Sequence, residues 1–390
     1  MKGRGLQLPL VMACLLIVAG CTTKNPEPGA IAIIRGTLID GTGAAPLPKA
    51  VVIIKEGRIA AVGSQPTLKA PRRATVLDAK GATILPGFIN SHVHKSCDET
   101  TLAEFAQAGV TAVRELCYFR DPYTSETWYS VRDSLNKNPK NARLVLSGPH
   151  MVIEGGFAMA GHTGSVFVKT PEDAIREGNR ILDEGADALK VFIQSYKNAP
   201  VMPVEVARAI IDTAHARGKK APVHTVYCRD TEIALQAGAD SLAHMVIDEL
   251  SADLAGRIAK AGIIWIPTME VFKGSGEGAH MVSNLRTFVE AGGTVALGTD
   301  YGGYYMMKFD RGMPVKEIRW MQEAGMTPMQ IIVAATLNAA KACGIDKDTG
   351  TVEAGKAADL LVVDGDPLSN LDALTNVRWV IHAGTVIREP

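Results

Sequence analysis

The chain has 390 residues, 47% of them hydrophobic, enough for one large core. Lysine plus arginine and aspartate plus glutamate both number 41, so the formal net charge is zero. That balance argues against a nucleic-acid partner, which favours a clearly basic face, and leaves a small-molecule substrate open.

Residues 1–21 read as an export signal. Lys2 and Arg4 form a positive start, and Leu6 to Ala19 is apolar apart from Gln7, too short to span a bilayer comfortably. The stretch ends in Val18-Ala19-Gly20-Cys21, which resembles the lipobox of bacterial lipoproteins, where the cysteine becomes the lipidated first residue. An ordinary cleaved signal with a chance cysteine is the plainer alternative. Residues 22–29 follow as a polar linker. On this reading the chain is exported and held at a bacterial membrane only through a lipid on Cys21. It would face the periplasm or the cell surface, and sit in the outer membrane of a Gram-negative cell. That compartment is oxidising. Cys97 and Cys117 follow neighbouring predicted strands, a placement that permits a disulfide, and the absence of CxxC argues against a cysteine-based zinc site.

Residues 30–83 read as short strands rich in Val and Ile, separated by Gly, Pro and Asp, as in IAIIRGTLID and AVVIIKEGRIAAVG. Residues 350–390 read the same way, with DLLVVDG and VRWVIHAGTVI. The two ends are expected to meet in one small β-sandwich domain. Between them, residues 84–349 alternate strand and helix. The predicted strands are 84–94, 110–117, 143–149, 188–194, 221–226, 241–245, 263–269 and 294–300. Helices are expected in PEDAIREGNRILDEG, which starts at Pro171 and stops at Gly185, in VEVARAIIDTAHARG, in DTEIALQAG, and over 327–342. Repeated βα units imply a parallel sheet, and eight of them an α/β fold closed as a (β/α)8 TIM barrel.

The chemistry-bearing residues fall at the ends of these strands. His92 and His94 are two apart on the first strand, so both face the barrel interior at its C-terminal end. An isolated pair of this kind also occurs as a polar strand end. Lys190 stands in the apolar run Ala-Leu-Lys-Val-Phe, where burial without a partner is costly. It either snorkels to the strand end or reacts with carbon dioxide to give a carbamate with two oxygens. His224 and His244 end the fifth and sixth strands, one βα unit apart, and Asp300 ends the eighth, which neighbours the first in a closed barrel. Each alone is compatible with a core histidine or a turn aspartate. Arg114 and Glu115 end the second strand and read as structural. His150, His215, His280 and His382 fall in no motif.

With these residues together, the chain resembles the amidohydrolase superfamily, in its binuclear branch with a carboxylated lysine. The imidazolonepropionase-like and prolidase-like groups are the nearest in look. The resemblance covers residues 30 to 388 and includes GRIAAVG, ILPGFINSHVH, VREL, GADALKVF, AGMTPMQIIVAATLNAAKACGI and GKAADLLVV. It implies two divalent metal ions, zinc by donor type. His92, His94 and Asp300 would bind the more buried one, His224 and His244 the more exposed one. Carboxylated Lys190 and a hydroxide would bridge them, and Asp300 would act as the general base. His162 occupies the position of a family histidine that contacts substrate. Tyr227 resembles a tyrosine that contacts the substrate carbonyl in prolidase-like relatives, where the spacing from the histidine is often one shorter. Tyr301, Tyr304 and Tyr305 either wall the pocket or pack the eighth loop.

The implied function is hydrolysis of C–N amide bonds, in small peptides or N-acyl amino acids. The same chemistry serves carbamates, arylamides, lactones and other esters. A non-catalytic ligand-binding lipoprotein is the reading from a different class, and a homo-oligomer is compatible with any of them.

Overall fold

The computed structural model of the protein describes residues 29–116, 125–157, 164–275, 278–302 and 312–390. The export signal, Cys21, Cys117, His162, Tyr304 and Tyr305 lie outside the described residues. Among the described residues, no helix is long and apolar enough to cross a membrane.

Both ends of the chain enter one mixed sheet of eight strands. From one edge it runs Thr385–Arg388, Val377–His382, Leu360–Val363, Thr83–Pro86, Ile31–Leu38, Leu47–Lys55 and Arg58–Ser64, with Thr75–Asp78 pairing Ile31–Leu38 alongside. The ladder is continuous across the two segments, because Leu360–Val363 pairs antiparallel with Thr83–Pro86. β-Branched residues fill it, as their stiff side chains pack well on a pleated surface. Ile33, Val52, Ile54, Ile59, Ile84, Leu360, Val362 and Ile381 form a core of its own.

The middle of the chain closes into the barrel. Its strands are Phe88–Val93, Val110–Glu115, Arg143–Leu146, Val191–Phe192, Pro222–His224, Ser241–Ala243, Ile264–Ile266 and Thr294–Val295. Neighbours pair in parallel from the first to the third and from the fourth to the eighth. Backbone bonds complete the ring: Asp187 N donates to Leu146 O and Met151 N to Lys190 O between the third and fourth strands. Ser91 N donates to Leu297 O and Asp300 N to His92 O, which joins the eighth strand to the first.

The strands are shorter than their hydrophobic runs suggest. The third ends at Leu146, not at 149, because Gly148 turns left-handed with φ +74 and Pro149 has no N–H to give the ladder. The chain then forms two strands not expected from the sequence, Met151–Ile153 and Val166–Val168, the first pairing in parallel with Val191–Phe192.

Helices cover the outside. Pro171–Asp183 is capped by Thr170, whose hydroxyl accepts from Asp173 N, and Pro171 takes a first-turn position that needs no N–H. Thr327 and Gln330 form a reciprocal capping box that opens the last barrel helix. That helix runs as Pro328–Val333, a π-turn over Ala334–Asn338, and Ala339–Cys343, and ends at left-handed Gly344. Below the histidines, Ile89, Ala112, Val145, Ile266 and Ala296 pack with Ala339, Ala342 and Cys343 and close the bottom of the barrel. Trp265 is fully buried, stands edge-on to Phe288, and donates its indole N–H to His244 O at 2.7 Å.

Candidate metal centre

Strand geometry delivers the six expected residues to one mouth. His92 and His94 leave the first strand on the same face, and their Nε2 atoms stand 3.1 Å apart. Asp300 reaches both from the extension of the eighth strand: its Oδ1 lies 3.1 Å from His92 Nε2 and 2.9 Å from His94 Nε2. Among the described residues these three can direct ligand atoms at one ion. Two backbone features permit the approach. Asp300 is left-handed at φ +59, uncommon for an aspartate, which turns its carboxylate inward. Gly298 leaves room, since a Cβ there would stand 2.9 Å from His92 Cβ.

His244 and His224 form the second pair, with His244 Nε2 2.9 Å from His224 Nδ1. The two pairs meet, since the His92 and His244 ring centroids are 4.9 Å apart. Lys190 is buried, and its Nζ has no hydrogen-bond partner among the described residues.

The electrostatics follow from burying these groups together. Burial lowers the Lys190 ammonium to about 7, helped by the Arg114 charge and opposed by Asp300. Burial, then Lys190, holds His92 well below the usual histidine range. Burial, then the charges of His244 and Lys190, does the same to His224. Burial brings His244 down to about 4. His94 goes the other way: burial opposes its charge, but Asp300 and Glu115 overcome it and lift it to about 9. Burial alone would raise Asp300, yet His92, His94 and His244 hold it well below the usual carboxylate range. The mouth thus offers mostly neutral imidazoles, an anionic carboxylate and a lysine easily made neutral, the protonation states that metal ligation and carbamate formation require.

Three supporting residues could not be read from the sequence as such. Glu115 places Oε1 3.5 Å from His94 Nδ1, while its Oε2 accepts from Ser96 N at 2.8 Å. Gln194 Oε1 stands 2.9 Å from His224 Nε2. Thr268 Oγ1 stands 2.5 Å from His244 Nδ1. In each case the far ring nitrogen is engaged, so the near one points to the centre, the arrangement that fixes tautomer and ring in metal sites. Glu115, read as structural, is structural in this particular sense. Gln194 and Thr268 sit at strand ends four and two residues past Lys190 and Ile266, and position at the mouth was their only available signal.

The other expected residues are placed differently. Tyr227 caps the helix Cys228–Ala237, half-buried, its ring beneath the Arg229 guanidinium at 5.3 Å. Tyr301 is buried and meets Phe105 edge-on at 5.2 Å, so it packs the core between the first and eighth units. Arg114 is fully buried and donates Nε to Ser91 O and Nη1 to Ala342 O, tying the second strand to the last helix. His150, in no motif, is buried with Nε2 2.8 Å from Ser165 Oγ and its ring stacked on Phe192, which itself stacks on His224 at 3.9 Å.

A family model described as the Amidohydrolase family matches residues 83–387. The chain belongs to the amidohydrolase family. It is 26% identical over 369 residues to an imidazolonepropionase of Symbiobacterium thermophilum, covering 82% of this chain and 85% of that protein. Among solved structures, a Xaa-Pro dipeptidase with bound methionine in its active site superposes with TM-score 0.79 at 23% identity, over 93% of this chain and all of that one. A structure described as a putative prolidase from Bifidobacterium longum superposes with TM-score 0.77 at 26% identity, over 93% of this chain and 95% of that one. This amidohydrolase is therefore an enzyme, a hydrolase on a (β/α)8 barrel, with a possible metal site at His92, His94 and Asp300.

Proposed function

We propose that this amidohydrolase cleaves C–N amide bonds of small peptides or N-acyl amino acids with two divalent ions, zinc by donor type. The observation that carries the proposal is the convergence of two ligand sets in one buried mouth: His92, His94 and Asp300 within 3.1 Å, and His224 with His244 at 2.9 Å. With the far nitrogen of His94 facing Glu115, and those of His224 and His244 placed against Gln194 and Thr268, these rings would present their near nitrogens as metal ligands. The amide class is supported by the likeness, at 26% identity, to the structure described as a putative prolidase.

Metal ions held by His92, His94, Asp300, His224 and His244 would supply Lewis acidity, which lowers the pKa of a water and polarises a carbonyl. The remaining roles belong to the chain. Lys190, depressed to about 7, presents a neutral amine near neutral pH. Its neutral nitrogen adds to carbon dioxide, one N–C bond forms and one proton is released, giving a carbamate anion. Asp300, held anionic, accepts the proton of the attacking water and returns it to the leaving nitrogen. His162 and Tyr227 are proposed to contact the substrate. Export and lipid attachment at Cys21 are proposed with them. Recovery of a Cys21→Ser variant from the membrane fraction at the wild-type level would overturn that attachment.

The test of the function is a metal count by plasma mass spectrometry together with hydrolysis of a panel of dipeptides and N-acyl amino acids. About two ions per chain with amide cleavage is the expected result. No metal after reconstitution with zinc and bicarbonate overturns the mechanism.

A further inference from the structure

Two loops rise from the barrel mouth beside the second histidine pair. The loop after Met151–Ile153 carries Phe157, and the loop after Val191–Phe192 carries Tyr196 and Lys197. Their parent strands pair in parallel, so both loops emerge at the same end, where His224 pairs with Phe192. Gln194, two residues before Tyr196, touches His224. The Phe157 and Tyr196 rings lie 4.3 Å apart and 33° from parallel.

This pair is held in place. Ser195 donates its N–H to Asp230 Oδ2 at 3.0 Å and its hydroxyl to Asp230 Oδ1, and both residues are buried. Ala199 N closes a turn on Tyr196 O at 3.0 Å. On the other loop, Gly156 approaches the first, since a Cβ there would stand 3.1 Å from Pro200 O.

Held so firmly, Tyr196 is nevertheless 40% exposed. An ordered aromatic left open to solvent forgoes the burial that normally rewards it. Lys197 adds a cation whose Nζ lies 5.0 Å from the Tyr196 ring centroid, and it holds a left-handed backbone at φ +50. No carboxylate is placed against it as an ion pair among the described residues.

We propose that Phe157 and Tyr196 form a stacking platform for an aromatic side chain of the substrate, with Lys197 answering the carboxylate of the same residue. The amidohydrolase is thereby selective for amides of aromatic amino acids that carry a free carboxylate. The inference rests on the amide reading above.

Binding and turnover separate the two. The measurement is equilibrium binding of N-acetyl-L-phenylalanine and N-acetyl-L-alanine to the metal-loaded protein by calorimetry, using an inactive Asp300→Asn background if turnover interferes. Wild type is expected to bind the aromatic ligand about tenfold more tightly, the order that a stacked ring contributes. Tyr196→Ser brings that ratio within about twofold, Tyr196→Phe keeps it, and metal content stays the same in both. Lys197→Gln removes the preference for N-acetyl-L-phenylalanine over its carboxamide. Equal binding of the two ligands by wild type, or an aromatic preference that survives Tyr196→Ser, overturns the platform. Failure to hydrolyse N-acetyl-L-phenylalanine while the binding ratio stands overturns the amide reading and leaves the platform.

Discussion

Replacing Glu115 by glutamine tests whether the outer contacts of the site set its metal affinity. The substitution preserves shape in a position that is 1% exposed, and the glutamine oxygen can still accept from Ser96 N, which the carboxylate does now at 2.8 Å. That leaves an NH2 group facing His94 Nδ1, where a carboxylate oxygen stands at 3.5 Å. At that separation the contact is electrostatic, being longer than a good hydrogen bond. Two full charges so placed would interact by about 5 kcal/mol at an effective dielectric near 20. A ligating imidazole carries only part of a charge, so this is an upper bound. The loss of an outer partner typically weakens metal binding by about 10–100-fold, or roughly 1.4–2.8 kcal/mol. The donor–donor conflict also pushes His94 toward the tautomer with a protonated Nε2, the wrong one for ligation. The assay is competition with a chelator of known affinity, with urea unfolding of the metal-free protein as the control. The expected outcome is weaker metal binding at nearly unchanged metal-free stability. Unchanged metal affinity, with a loss of stability alone, would show that Glu115 merely packs the second strand.

The other expectations concern single groups. Asp300→Asn should cut turnover by about 10²–10⁴-fold while most metal remains, and a variant that keeps most of its rate removes Asp300 as the base. Lys190→Ala should lose metal, with partial recovery on adding short carboxylic acids; full metal content without them would mean that no carbamate is needed. Glu317 is fully buried, and burial lifts its carboxyl to about 8 although Met269 N and Glu270 N both donate to it at 3.0 Å. Its folded value lies above the unfolded one of 4.5, so its contribution to stability is present below pH 4.5 and is lost as pH rises through 8. Glu317→Gln cannot titrate, so urea midpoints at pH 5 and pH 9 should differ less in the variant than in wild type, and parallel profiles refute the assignment.

The convergence of these residues was legible because each sits at the end of a strand, where one residue type and one spacing decide direction. His92 and His94 needed only the period of two, and Asp300 only the closure of eighth strand onto first. Strand ends were less legible, since a break such as Gly148-Pro149 acts through backbone bonding that an apolar run does not display. The supporting contacts of Gln194 and Thr268 depend on loop paths across different strands, which no local pattern encodes. Tyr301 illustrates the converse: its place in a tyrosine-rich loop left a pocket wall and a packing role equally open, and the structure gives packing, because the first residue past Asp300 still follows the ladder, bridging Val93 in parallel, and meets Phe105 in the core.

Bringing these groups together in one mouth is costly. Imidazole nitrogens face one another at 3.1 Å and 2.9 Å, and each such contact can be satisfied only if one ring gives a proton and the other accepts it. Asp300 holds a left-handed backbone at φ +59, Thr268 does so at φ +46, and Lys190 is buried with no hydrogen-bond partner among the described residues. Strain and unsatisfied polar groups cost about 1–3 kcal/mol each, which a folded chain retains only if surrounding structure over-determines it. Here the determinant is rigid. The barrel ring is closed by backbone bonds on both sides of the first strand, and its floor is packed by apolar residues from five strands and the last helix. Folding assembles these groups from distant parts of the chain, so the energy of binding cations here would appear as folding energy. The metal-loaded protein should therefore unfold at higher urea than the chelated one. The gap should shrink in Glu115→Gln, because that variant weakens the loaded state and spares the empty one. A gap of wild-type size in the variant would mean that the cations take their hold from elsewhere than His94.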